Sequence, residues 1–188
     1  MEEIIGVRGI LLFFIYCALG WIWETLVYSI CECRWVNRGF LRGPWLPVYG
    51  CGAWTVLLST WIVRKNMILV FMVGMVSATI LEYMTGILIK KLFDMRYWDY
   101  SRRPLNIKGH ICLPISLGWG VVAVLLQKVN PMIVKLIVQI PQTVIKVICI
   151  ALLSLFVIDV IKSVRAAFKM KELLNKMSDS HKSMQAVD

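Results

Sequence analysis

The sequence predicts an all-α, polytopic integral membrane bundle of about five transmembrane helices with one short interfacial or re-entrant segment. Three observations lead there. Hydrophobic residues make up 59% of the chain against 17% charged, too apolar a balance for a soluble domain of this length to keep hydrated. The apolar residues fall into long runs, and the basic residues collect in the gaps between them. A helix needs roughly 20 apolar residues to cross about 30 Å of hydrocarbon at 1.5 Å per residue, and five segments approach this: Ile10 to Ile30, Trp45 to Val63, Met67 to Ile89, Ile111 to Leu126 and Thr143 to Ile161.

The first run follows an acidic N-terminal segment and has no small-residue cleavage site after it, so it is expected to stay as a span. The stretch Pro131 to Gln142 is apolar, bracketed by Pro131 and Pro141 and interrupted by Lys135. It is too short to span and is expected to be the interfacial or re-entrant piece. Residues 1–161 then form the membrane domain, and 162–188 a basic cytoplasmic tail, helical at first and disordered from Ser178.

Orientation follows from charge. With five spans, Arg34, Arg38 and Arg42 of loop one share a side with Lys90, Lys91, Arg96, Arg102, Arg103 and Lys108 of loop three and with the tail. Most of the 21 Lys and Arg therefore lie on one side, and the positive-inside rule places the N-terminus outside and the C-terminus in the cytoplasm. The net charge of +10 reads as juxtamembrane contact with anionic membrane lipid. No basic helix or aromatic RNA-binding motif accompanies it, so nucleic acid is not an expected partner. Six cysteines are scattered, Cys31 and Cys33 are only C-x-C, and the histidines are His110 and His181. Neither a metal site nor a disulfide framework is expected, and no cofactor is implied.

Charged residues inside spans are costly, at least about 2.5 kcal/mol near the bilayer centre, and need a reason. Glu24 lies six residues before the end of its span and Glu82 seven before the end of its own, so the two carboxylates are expected at one depth. Trp21 and Tyr28 share a helical face with Glu24; Thr79, Tyr83 and Gly86 share one with Glu82. One cytoplasm-facing pocket is the sharper reading; packing specificity is the plainer one. Asp159, two residues from its span end, reads as reaching the interface.

Two loops carry the remaining signal. Loop one, Asn37 to Gly52, holds four glycines after Arg38 and two prolines, which dictate backbone shape and suit a segment folded back into the headgroup region. Loop three, Phe93 to His110, mixes Arg96, Trp98, Asp99 and Asn106 with further aromatics and arginines. Such residues are the ordinary interfacial belt, but guanidinium forks also suit phosphate or carboxylate, and ring faces suit a cation. The candidate ligand-binding residues are Glu24, Tyr28, Arg38, Arg42, Glu82, Tyr83, Arg96, Trp98, Asp99 and Asn106.

Gly20-Trp21 with Glu24, Asn37-Arg38-Gly39-Phe40, Gly43-Pro44, Pro47, Tyr49-Gly50, Glu82-Tyr83, Thr85-Gly86, Trp98-Asp99-Tyr100-Ser101, Asn106-Ile107 and Ile111-Cys112-Leu113 occur in one order over residues 15–125. In these the chain resembles the CmpB-like family of small bacterial membrane proteins, known as ABC-transporter type IV permeases. The resemblance implies an inner-membrane permease subunit binding a polar or amphiphilic ligand. The chain has no G-x-x-x-x-G-K-[ST] phosphate loop, so transport implies a separate ATPase subunit, and five spans imply a homodimer. Two alternatives stay open. One is a membrane enzyme acting on lipid or a lipid precursor, with Glu24, Glu82 or Asp99 as base; the other is a non-catalytic partner or regulator.

Topology is directly testable. Single cysteines at Arg42 and Arg102 are expected to react with an impermeant thiol reagent only from the cytoplasmic side, and a cysteine at Lys65 only from outside. Cytoplasmic labelling of Lys65→Cys would remove the five-crossing arrangement.

Overall fold

The computed structural model of the chain describes residues 6–37, 39–94 and 96–185, with side chains through residue 177. Five α-helices make up about three quarters of it: α1 Val7–Cys31, α2 Pro47–Ser59, α3 Met67–Phe93, α4 Leu113–Val138 and α5 Gln142–Gln185. The one sheet among the described residues is a small antiparallel hairpin, β1 Asn106–Ile107 with β2 Ile111–Cys112. Four of the helices, α1, α3, α4 and α5, are long and apolar enough to cross a membrane. The chain is a multi-pass membrane bundle.

Local chemistry sets the helix ends. Asn66 caps α3, its Oδ1 accepting from the backbone N–H groups of Ile68 and Leu69 at 3.0 and 3.3 Å, which satisfies two donors the helix cannot. Asp94 closes α3 in the left-handed region, at φ 56°, with its N–H on the Lys90 carbonyl. Pro47 and Pro114 sit in the first turns of α2 and α4, where the missing N–H costs nothing. The core runs along α1, α2, α3 and α4 through Leu12, Val56, Val70, Ala78 and Ala123, with Ile145 and Cys149 of α5 closing it. Large side chains such as Trp23, Ile68, Met84, Leu136 and Val147 are exposed, as lipid-facing residues are.

Two expectations are corrected. The second span is not a full crossing helix: α2 has 13 residues, about 20 Å of rise against the roughly 30 Å needed. It begins beside the middle of α1, where the Leu46 N–H donates to the Cys17 carbonyl at 3.0 Å and Tyr49 lies against Gly20. The chain reaches that point in non-helical backbone, residues 39–46. The second correction concerns Pro131 to Gln142, which is not a separate interfacial or re-entrant piece. Pro131 sits inside the continuous helix α4, and the chain turns only between Gln139 and Pro141. One proline removes one backbone bond, whereas breaking the helix at that depth would orphan several groups with no water to receive them.

The relative sidedness of the loops is visible in aromatic contacts. Phe40 of loop one packs on Phe93 and Tyr97 at ring-centre separations of 5.2 and 5.8 Å, and Phe93 packs on Phe168 of α5 at 5.2 Å. Loop one, loop three and the extension of α5 thus meet at one end. At the other end the Cys149 thiol donates to the Val7 carbonyl at 3.3 Å, so α1 and α5 start together and run in parallel. Five passes of the chain satisfy this arrangement, the second made by loop one and α2 in series. Helix α5 continues without a break to Gln185, past Ser178, where the sequence alone suggests loss of structure.

Close approach of α3 and α4 depends on Gly74, whose added Cβ would collide with the Ala123 Cβ. Gly74→Val should therefore destabilise the bundle by about 1–3 kcal/mol, the usual cost of overpacking, read as a lowered midpoint of thermal unfolding in detergent. An unchanged midpoint would show that these helices separate freely.

Candidate functional site

Loop one enters the bundle because α5 receives it. The Asp159 carboxylate accepts the backbone N–H of Arg42 at 3.2 Å, that of Gly43 at 2.8 Å and the indole N–H of Trp45 at 2.9 Å, with Ser163 one turn on at 3.4 Å. At the loop's start the Trp21 indole donates to Asn37 Oδ1 at 2.7 Å. The side chain of Asp159 does not simply reach the interface as the sequence suggests; it holds an irregular segment by accepting from two of its backbone N–H groups and an indole. A Cβ on Gly43 would enter the Trp45 indole, so only glycine lets that ring lie across the chain.

This anchoring delivers Tyr49 to the bundle centre. Its hydroxyl donates to Glu24 Oε1 at 2.9 Å, and its ring lies 5.6 Å from that of Trp119 on α4. The Trp119 indole in turn donates to Glu82 Oε2 at 2.9 Å, and the Tyr100 hydroxyl to Glu82 Oε1 at 3.1 Å. Glu24 and Glu82 thus belong to one wall, Glu24–Tyr49–Trp119–Glu82–Tyr100, joined in its middle by the Tyr49–Trp119 ring contact. Glu82 is buried. The wall draws its residues from α1, α2, α3, α4 and loop three.

Loop three is a folded unit. Asp99 Oδ1 accepts from the Ser101 N–H at 2.9 Å and from its hydroxyl, and Asp99 Oδ2 pairs with Arg96 at 3.2 Å. The hydrogen bonds from Ser101, then the nearby Arg96 guanidinium, hold the Asp99 carboxyl below its usual range. The Asn106 amide donates to the carbonyls of Ser101 and Arg103 and accepts the Gly109 N–H. Gly109 has φ 74°, and a Cβ there would lie 2.6 Å from Asp99 Oδ1, so both backbone and space require glycine. The Trp98 indole donates to the His110 carbonyl at 2.8 Å, and the His110 ring meets Tyr83 at 5.9 Å. Burial first, then Arg96 and Lys90, keeps His110 below its ordinary pKa; burial first, then Glu82, raises that of Tyr100.

A family model described as "Putative ABC-transporter type IV", ABC_trans_CmpB, matches residues 11–164. The chain belongs to this family. The match takes in every residue of the wall and both loops. Comparison with curated proteins and with solved structures gives no match. The family description marks an ABC-transporter-type membrane protein and names no ligand.

Set against the sequence candidates, the structure brings Glu24 and Glu82 onto one wall. Tyr28, 37% exposed, lies close to Tyr100, while Tyr83 packs on His110. Arg42 contributes its backbone N–H, its side chain being exposed. Arg96, Trp98, Asp99 and Asn106 are engaged in shaping loop three. Arg38 lies outside the described residues. Sequence reasoning missed Tyr49, Trp119 and Tyr100 as partners of the carboxylates. Tyr100 and Tyr49 were within sight in the two loops, but Trp119 sits on an apolar helix where an aromatic residue carries no distinguishing signal.

Removing the Asp159 acceptor by Asp159→Ala would strand two backbone donors and an indole, each costing about 1–3 kcal/mol. The expected outcome is a loss of at least about 2 kcal/mol of stability, with Gly43→Val similarly harmful and Arg34→Ala neutral. Thermal unfolding of the three variants in one detergent checks this; equal tolerance would show loop one to be an ordinary linker.

Proposed function

We propose that the chain is the membrane-embedded permease subunit of an ABC-type transport system and that it binds a polar or amphiphilic ligand at the wall joining Glu24 to Glu82. One observation carries this reading: two carboxylates on separate helices, α1 and α3, converge on donors supplied by α2, α4 and loop three. A carboxylate kept for packing alone needs one neighbouring helix, whereas here each pairs with a side chain whose position depends on a loop. Irregular backbone within a membrane bundle is tolerated where it is buried in protein or lines a cavity, and half-helices that start midway are a form in which transporters build binding sites. Helix α2, starting beside the middle of α1, has that form. The excess of basic residues on the loops and tail favours the cytoplasm for this side. No phosphate loop is present in the sequence, so the reading requires a separate ATPase, and a complete transporter would pair two copies of this chain.

The enzyme alternative is less well supported, since the Asp99 carboxylate is engaged with Ser101 and Arg96 in holding its loop.

Glu24→Gln and Glu82→Gln keep size and one hydrogen-bond acceptor while removing charge. A tagged chain should capture an ATPase from native membranes, and the purified complex in nanodiscs should hydrolyse ATP. Each Gln variant is expected to assemble and melt like the wild type yet lose at least about tenfold in ATP turnover, since a charged hydrogen bond contributes about 1.5–3 kcal/mol. Wild-type turnover in both variants would leave the carboxylates a packing role.

A further inference from the structure

Away from the wall, at the loop end of the bundle, lies a cavity of about 370 Å³ lined by Ile87, Lys90, Lys91, Asp94, His110 and Lys171. Three elements build it: the last turns of α3, the hairpin of loop three, and the extension of α5 beyond the residues that match the family. Three ammonium groups face one carboxylate there. Among the described residues neither Lys90 nor Lys91 forms an ion pair. Lys171 is held at the rim by its bond to the Leu92 carbonyl at 3.1 Å, which caps the end of α3 and fixes an ammonium group over the opening.

Lysines in the last turn of a helix also offset the negative end of its dipole, an effect confined to about one turn and worth well under 1 kcal/mol when exposed. That effect explains neither the concave, open site nor the recruitment of a third lysine from α5, about 80 residues further along. The volume lies within the roughly 300–1,000 Å³ of small-ligand sites. Ile87, 40% exposed, forms the wall nearest the spanning part of α3, with Leu88 beside it at 55%, an apolar surface continuous with the lipid-facing side. Basic pockets between helices at the cytoplasmic surface accept anionic headgroups. Asp94 sets a condition on the occupant, since a group bearing a hydroxyl or amine beside its phosphate would satisfy that carboxylate while the lysines take the phosphate.

We infer that this cavity is a binding site for a phosphate-bearing anion, supplied by the headgroup of an anionic phospholipid whose acyl chains run along Ile87 and Leu88. The inference does not depend on the transport reading and involves none of the residues of the wall.

The test uses the full chain in detergent, with phosphatidylglycerol, phosphatidylcholine and inorganic phosphate as probes and native mass spectrometry as the readout. Wild type is expected to retain phosphatidylglycerol over phosphatidylcholine. Lys90→Gln with Lys91→Gln should weaken that retention roughly 30-fold, about fivefold per lysine at the membrane surface, while Arg64→Gln with Lys65→Gln at the far end should leave it unchanged. Should the double variant fail to fold, Lys91→Gln alone should still show the fivefold loss. Displacement of the lipid by millimolar inorganic phosphate would keep the phosphate site and assign it to a soluble anion. Equal retention of phosphatidylglycerol by wild type and the lysine variants, or equal retention of the two lipids by wild type, would overturn the inference.

Discussion

Asp159 makes possible an otherwise costly feature, a stretch of irregular backbone inside a membrane bundle. Unpaired N–H groups away from water cost several kcal/mol each, and neither helix nor sheet satisfies those of residues 42 and 43. A carboxylate has lone pairs to spare, and Asp159 gives them to two backbone donors and one indole. With that segment fixed, the Leu46 N–H reaches the Cys17 carbonyl, Pro47 can start a helix beside the middle of α1, and the Tyr49 hydroxyl arrives at Glu24. Each step depends on the one before. The aromatic group of Phe13, Phe14, Trp45 and Phe156 packs around the same junction, with ring centres 5.4 to 6.4 Å apart.

Loop three solves the same problem by a different route. Outside the helices it pairs its own backbone, through the short hairpin and through Asp99 and Asn106, which act as acceptor and donor for a turn of four residues. The polar residues of this loop therefore divide in two. Arg96, Asp99, Ser101 and Asn106 face one another and set its shape. Tyr100 faces away from them and reaches Glu82. A sequence reading weighs the first group most heavily, because guanidinium and carboxylate groups suit ligand recognition, yet the side chain that touches the buried carboxylate is a tyrosine from the expected interfacial belt.

That contrast describes what was legible. Helices α1 and α3, the common depth of Glu24 and Glu82, and the shape-determining role of the loop-one glycines follow from hydropathy, helical rise and backbone sterics, all local properties. Helix α2 was misjudged because the hydropathy of Trp45 to Val63 is the same whether the segment is helical throughout or only from Pro47; the difference is made by Asp159, more than a hundred residues away. Pro131 was misjudged because a proline rule drawn from water overstates the break. In a bundle the alternative to a strained helix is unsatisfied backbone, and the helix prevails. The partners Tyr49 and Trp119 were hidden for a third reason, since pairing between helices has no signature in a single sequence.

The placement of charge along α3 shows what holds its carboxylate. Glu82 and Lys90 are eight residues apart, about 12 Å along the helix, and at an effective dielectric of about 20 their attraction is about 1.4 kcal/mol. This is less than the roughly 2.5 kcal/mol or more that a charge costs near the bilayer centre, so the lysines at the loop end do not by themselves compensate Glu82. Its described hydrogen-bond partners are two neutral donors, Tyr100 and Trp119. They come from different elements, loop three and α4, and nothing on α3 itself replaces either. Withdrawal of Tyr100 with its loop would leave one oxygen without that donor, and the free energy of the buried carboxylate would rise by about the 1.5–3 kcal/mol of a charge-assisted bond. The position of loop three and the condition of Glu82 are therefore one coupled variable, with the hydroxyl of Tyr100 as the link.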